Sequence, residues 1–287
     1  MALEQNREAT DVIKNAEEAA AEAVRHPWVR SLSGCGFYAK GILFIVVGTL
    51  AIFLSAGLRG GRITDPTGAL NAIGQLRMGG ALLFFMAVGA LGHGIWNMLR
   101  GIGDVDDNGG GIFGILTRSI AVCIGLFYVW LAFNAASFLF LEGETVTSGD
   151  VERSITAILI SVPLGILIVL FLGLGFFGAA IHEFYSGVSG KYQEHYRLWQ
   201  METFELALVT VLGILSFSTR AVLYLLISYF FLASVFLLDP AQVRGFDGAL
   251  LALAETRYGG LLLLAAGFGL VCHGILAFFE AKYRRIC

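Results

Sequence analysis

RMGGALLFFMAVGALGHGIWNMLRG, residues 77–101, returns 180 residues later as RYGGLLLLAAGFGLVCHGILAFFEA, residues 257–281. Each copy is an apolar run of membrane-spanning length, glycine-rich, with one histidine in its second half, and a recurrence at a fixed offset points to a repeat architecture. The match extends outward without a gap: GALNA at 68–72 meets GALLA at 248–252. The unit is therefore a first long helix, an outer connection bearing a GAL element, and a glycine-rich return helix. Between the two copies lies a looser third, in which Gly165 and Gly175 match Gly79 and Gly89, and Ala179 stands where the others have His93 and His273.

The composition agrees with a membrane protein. The 287 residues are 57% hydrophobic and 14% charged, with 37 glycines and 23 phenylalanines, and the mean hydropathy is +0.76, far from the soluble average. Six stretches have the length of about 20 apolar residues that a bilayer requires, near 36–56, 79–99, 115–140, 157–181, 210–238 and 259–279. The fold class expected is all-α, with six transmembrane helices arranged as three hairpin repeats. Two helices per unit make the repeats parallel, related by an axis along the membrane normal. If they pack as a ring, a pseudo-three-fold arrangement follows. The expected division is an N-terminal helical segment over 1–32, repeats over 33–103 and 104–189, a linker helix over 190–209, and a last repeat over 210–287.

GFYAKGILFIVVG at 36–48, DPTGALNAI at 65–73, GGALL at 79–83 and the return helix ending in GIWNMLRG together resemble the bacterial membrane family called domain of unknown function 1206. The resemblance covers about residues 33–282 and departs in the middle unit, where ILTRSIAVCIGL is a loose copy and no GAL element survives. It implies three tandem two-helix units in the cytoplasmic membrane and brings no agreed activity.

With an even number of spans, both termini and the loops after the second and fourth spans share one side. All four lysines, Lys14, Lys40, Lys191 and Lys282, fall there, together with most of the arginines. The positive-inside bias places that side in the cytoplasm. Residues 1–24 carry six acidic groups and no apolar core, unlike a cleaved signal peptide, and HPWVR at 26–30 suits an interfacial anchor. Cys35, Cys123, Cys272 and Cys287 lack any ligand spacing.

Lys40, Arg118 and Arg220 occupy the same repeat position, at the cytoplasmic start of each unit's first helix. They are candidates to bind anionic lipid or a dissolved anion, either by reaching out to headgroups or by facing a shared axis, where Glu183 and Glu280 supply countercharge. Residues 221–238 are long enough to span alone, so Arg220 is expected at the interface, with 206–217 either lying along the membrane surface or packing on the bundle. On the second span Gly89, His93 and Asn97 share a face; on the sixth, Gly269, His273 and Glu280 repeat it. This intramembrane polar stripe reads either as helix-to-helix hydrogen bonding or as a proton or substrate path.

DVDDNG at 104–109 matches the opening of a calcium loop through Asp104, Asp106 and Asn108, but the twelfth position, a glutamate in such loops, is Ile115. A solvated turn is the better account. Gly173, Gly175 and Gly178 read as helix-packing glycines, and 190–205 as an interfacial helix with Tyr192, Tyr196 and Trp199 at headgroup depth. Nucleophile, dinucleotide, P-loop and zinc-protease patterns are absent, so no cofactor is implied, and no basic-aromatic face points to nucleic acid. The partners expected are the bilayer itself, its anionic phospholipids and other copies of the chain. Two functions stay open: a membrane scaffold or lipid-interacting protein, and a small-solute or anion transporter with a basic vestibule lined by the three cations and two histidines.

Overall fold

The computed structural model of the chain describes residues 15, 18–20, 22–23, 26–105, 107, 109–140 and 148–284. Most of the expected N-terminal helical segment lies outside them. Six helices are long and apolar enough to cross a membrane, over Gly34–Ser55, Gly79–Ile102, Gly114–Phe140, Leu164–Ser189, Thr203–Leu237 and Gly259–Tyr283. The protein is an all-helical, multi-pass membrane protein.

The first unit runs α1 (Pro27–Ser55), α2 (Pro66–Gly74) and α3 (Gly79–Ile102); the second α4 (Ile112–Phe140), α5 (Ser148–Ile160) and α6 (Pro163–Ser189); the third α7 (Thr203–Leu237), α8 (Phe246–Ala254) and α9 (Gly259–Tyr283). The expected anchor at 26–30 is the beginning of α1. Pro27 sits in its first turn, where a missing N–H costs nothing, and the side chain of Trp28 lies outside the described residues. In α2 the GAL element follows a cap: Asp65 accepts from Gly68 N at 2.7 Å and from the Thr67 hydroxyl. That start buries Ala69, Leu70 and Ile73, and α8 buries Ala249 and Leu250 in the same way. The middle unit has no GAL element, yet α5 fills the corresponding place.

Three expectations about boundaries are overturned. The fourth span begins at Pro163 and not at 157, because Pro163 removes a backbone donor and holds Val162 in an extended conformation (φ −118°, ψ 132°), so 157–160 belong to α5. The fifth span is one continuous helix of 35 residues, about 50 Å long. Glu202 and Glu205 start it with a reciprocal capping box, and buried Val209 and Leu212 hold its first turns in the bundle. Of the two placements expected for residues 206–217, packing on the bundle is the one found, and Arg220 falls inside a helix, not at a helix start. The expected linker helix over 190–209 is absent as well. Gly190, at φ 71°, ends α6, and two short 3-10 turns, Lys191–His195 and Leu198–Gln200, lead into α7. Tyr192 and Tyr196 are buried there, while Trp199 stays exposed. The Tyr192 ring stacks on Phe217 at 4.7 Å, and its hydroxyl donates to Val209 O at 3.2 Å, in the space left by Gly213.

The most extensive helix contacts join the return helix of one unit to the first helix of the next: α3 with α4, α6 with α7, and α9 with α1. These three seams occupy equivalent places in the three units and set them in cyclic order. Glycines set how closely the seams approach. A methyl group on Gly94 would lie 2.9 Å from Gly125 O, and one on Gly125 would lie 2.8 Å from Gly94 O. Gly41 faces Gly274 O at 2.7 Å and Gly267 faces Gly48 O at 2.8 Å on the same test. Within units, α1 packs on α3 and α7 on α9, but α4 and α6 make little direct contact. On α6, Gly173 packs against Leu232, whereas Gly175 and Gly178 have nothing within 4 Å, contrary to the packing role expected of them. Buried side chains of all six long helices, including Leu43, Leu83, Leu131, Val169, Leu223 and Leu270, form one apolar core. Large apolar residues such as Phe133 and Phe171 are left exposed on α4 and α6, as a lipid-facing surface requires.

Candidate functional site

The polar side chains gather toward the face where α1 begins and α9 ends, here the terminal face. Each repeat-equivalent cation crosses one of the three seams. Lys40 on α1 reaches Glu280 on α9, Nζ to Oε2 3.2 Å, with side-chain exposures of 13% and 17%. Arg220 on α7 reaches Glu183 on α6 through Nε at 3.0 Å and also through Nη2. Arg118 on α4 donates to Gly101 O at 2.9 Å and Ile102 O at 2.7 Å. Those carbonyls close α3, where unpaired backbone oxygens and the helix dipole favour a cation. Three positions that are equivalent in sequence thus each tie a first helix to the return helix of the preceding unit.

The histidines differ in a way their shared motif does not reveal. His273 is engaged at both ring nitrogens: Ser216 Oγ lies 2.9 Å from Nδ1 and Arg220 Nη1 3.3 Å from Nε2. Ser216, Arg220 and Glu183 therefore form a continuous polar chain from α6 through α7 to α9. His93 instead packs edge-on against aromatic rings, Phe37 at 4.8 Å and Tyr128 at 4.5 Å. Its Nδ1 is buried without a hydrogen-bond partner among the described residues. Asn97, on the same stripe, turns its amide back to His93 O at 2.8 Å and bonds within its own helix.

Around His93 the structure brings Lys40 and Arg100 together with Phe37, Trp96 and Arg284, which pattern reasoning did not single out. Trp96 lies 5.8 Å from both His93 and Phe37, ring centre to ring centre. Arg284, just past α9, places its guanidinium carbon 5.1 Å from the Phe37 ring centre and 5.3 Å from that of Trp96. Arg100 lies 5.0 Å from the Trp96 ring, and Lys40 5.9 Å from that of Phe37. Arg284 also reaches Glu280 Oε1 at 3.5 Å, so Glu280 serves two cations. One signal for the difference between the histidines was available in the sequence: at the 180-residue offset, Ser216 corresponds to Gly36.

Opposite the terminal face, Glu152 at the beginning of α5 sits against Gly245, the residue preceding α8. Its Oε2 is buried with no hydrogen-bond partner among the described residues. Burial, and then the nearby carboxylates of Asp247 and Asp65, push its pKa up to about 7, against the pull of Arg153. In the calcium-like loop, Asp104 Oδ2 accepts from Gly109 N at 2.9 Å, a local turn, while Asp106 and Asn108 lie outside the described residues. Among the described residues no cluster of three His, Cys, Asp or Glu side chains is placed to hold a metal.

The repeat and the family converge. Residues 35–104 and 215–284, two stretches offset by 180 residues, match the family described as Domain of Unknown Function (DUF1206). Over 260 residues the chain is 31% identical to the uncharacterized protein YxxB of Bacillus subtilis (strain 168), spanning 91% of this chain and 93% of that one. No solved structure matches. With its repeat recovered in both matched stretches and a relative aligned over nearly its full length, the chain belongs to the DUF1206 family.

Proposed function

We propose that this chain is a non-enzymatic membrane protein that engages anionic phospholipid headgroups at its terminal face. The observation that carries this reading is the charge balance at the α1–α9 seam: among the described residues, Lys40 and Arg284 share the one carboxylate of Glu280. A half-buried surplus of positive charge at a membrane surface is stabilised by an anion, and headgroup phosphates are the anions present there in quantity. In this reading the terminal face lies in the cytoplasm, the side favoured by the distribution of lysine. Transport is supported less well, because the six long helices meet in a single apolar core and solute paths use polar, interrupted helices near mid-membrane.

The test is the thermal midpoint of the purified chain in nanodiscs of phosphatidylglycerol against phosphatidylcholine. A midpoint several degrees higher in phosphatidylglycerol, lost at high salt, is the expected result. Equal midpoints in both lipids would remove the basis of the reading.

A further inference from the structure

The two histidines occupy one repeat position in two states of completion. In the third unit, Ser216 and Arg220 satisfy both nitrogens of His273. In the first unit the corresponding residues are Gly36 and Lys40, and Lys40 is turned to Glu280. Gly36 cannot be replaced by a serine within this packing, since a Cβ there would stand 2.8 Å from Gly89 O and closer still to the His93 side chain. Among the described residues His93 Nδ1 is consequently left without a partner, and so is Trp96 Nε1, one helical turn away. Both residues are only 5% exposed. Buried polar atoms are nearly always paired, and leaving one unpaired costs about 1–3 kcal/mol. Two in neighbouring side chains indicate a group supplied from outside the chain.

The surroundings define that group. An indole N–H can only donate, and His93 can present Nδ1 as a donor too, so the missing partner is an acceptor. Cations line it: Arg284 and Arg100 both lie over Trp96, and among the described residues Lys40 and Arg284 have the Glu280 carboxylate between them. An acceptor-only group carrying negative charge on several oxygens, near the terminal face, fits a phosphate. We propose that the junction of α1, α3 and α9 binds a phosphate group, with Trp96 Nε1 and His93 Nδ1 donating to its oxygens and Arg284 and Arg100 supplying the countercharge. This rests on the headgroup reading above and narrows it to one seam: the third unit, with its histidine already satisfied, has no such place.

The experiment uses the full chain with ¹⁵N-labelled tryptophan. The Trp96 indole signal, assigned by its loss in Trp96→Phe, is followed while phosphatidylglycerol, phosphatidylcholine or inorganic phosphate is added in detergent. A saturable downfield shift with phosphatidylglycerol, absent with phosphatidylcholine, supports the proposal with a lipid as the source. The same shift with inorganic phosphate alone supports the site with a dissolved anion as the source and removes the lipid reading. No shift with any of the three overturns the proposal. In parallel, native mass spectrometry counts the phosphatidylglycerol retained by wild type, Trp96→Phe and Arg284→Gln. A drop of at least five-fold in bound lipid for both variants is expected; undiminished retention would overturn the site while leaving the headgroup reading standing.

Discussion

Lys40 Nζ lies 3.2 Å from Glu280 Oε2, so the first spanning helix is ion-paired to the last across 240 residues of chain. The pair latches the ring at the seam that no connecting loop supports. Because Arg284 uses the same carboxylate, its two sides are unequal. Glu280→Gln leaves two cations uncompensated and is expected to cost about 3–5 kcal/mol, the range for breaking a buried pair. Lys40→Met leaves Glu280 with Arg284 and is expected to cost clearly less. Thermal unfolding of both variants in one detergent checks the order; equal losses would show that Arg284 does not share the carboxylate.

The glycine seams predict a position-dependent response to bulk. Gly94→Leu forces a side chain into the Gly125 backbone on the facing helix and is expected to destabilise by about 1–3 kcal/mol or prevent closure. Gly175→Leu, where nothing lies within 4 Å, is expected to be neutral to within about 0.5 kcal/mol. Expression level and monodispersity of the two variants separate the cases without any knowledge of the ligand.

Ser216→Ala removes the hydroxyl beside His273 Nδ1 and leaves a buried nitrogen unpaired, at an expected cost of about 1–3 kcal/mol. Ser216→Thr keeps the hydroxyl and is expected to recover part of that loss. If alanine and threonine behave alike in unfolding measurements, the hydrogen bond is not what holds α7 to α9 at this point.

Glu152 makes stability depend on pH. The folded chain holds its proton up to about pH 7, whereas an ordinary glutamate releases it near 4.5. Folding therefore takes up a proton between those values, and the stability this contributes is full below about pH 4.5 and lost as pH rises through about 7. Glu152→Gln is expected to flatten that part of the profile and to raise the thermal midpoint at pH 8. Midpoints measured from pH 4 to 8 for both proteins decide it, and a wild-type curve that rises over this range would contradict the assignment.

The architecture was legible because it rests on counting. Apolar runs of bilayer length gave six spans, and an offset of 180 residues gave the repeat, independent of how the helices meet. Boundaries failed where a local device overrode hydropathy. Pro163 cut α5 from α6 inside an apolar run, and the capping box at Glu202 and Glu205 carried α7 back beyond the span expected from residue 210. Tyr192 and Tyr196 were read as headgroup anchors, yet Gly190 folds the chain back so that both are buried.

The candidate site was half legible. Lys40, Arg220, Glu183 and Glu280 could be named from their places in the repeat. That Lys40 pairs with Glu280 and Arg220 with Glu183 depends on which helices are neighbours. So does the cluster of Phe37, Trp96, Arg100 and Arg284 around His93, which draws on three helices and the residue after α9.

By itself, then, the sequence determined that this is a six-span, three-unit membrane protein with equivalent cations and paired histidine positions, since span length and repetition are properties of one strand of residues. Only the tertiary structure decided that the units meet in cyclic order at equivalent seams, that the middle unit's own helices stand apart, and that among the described residues His273 is satisfied at both nitrogens while His93 Nδ1 is not. Those outcomes turn on single close approaches between helices far apart in the chain, where one atom at Gly36 or Ser216 changes which partners a buried nitrogen can reach.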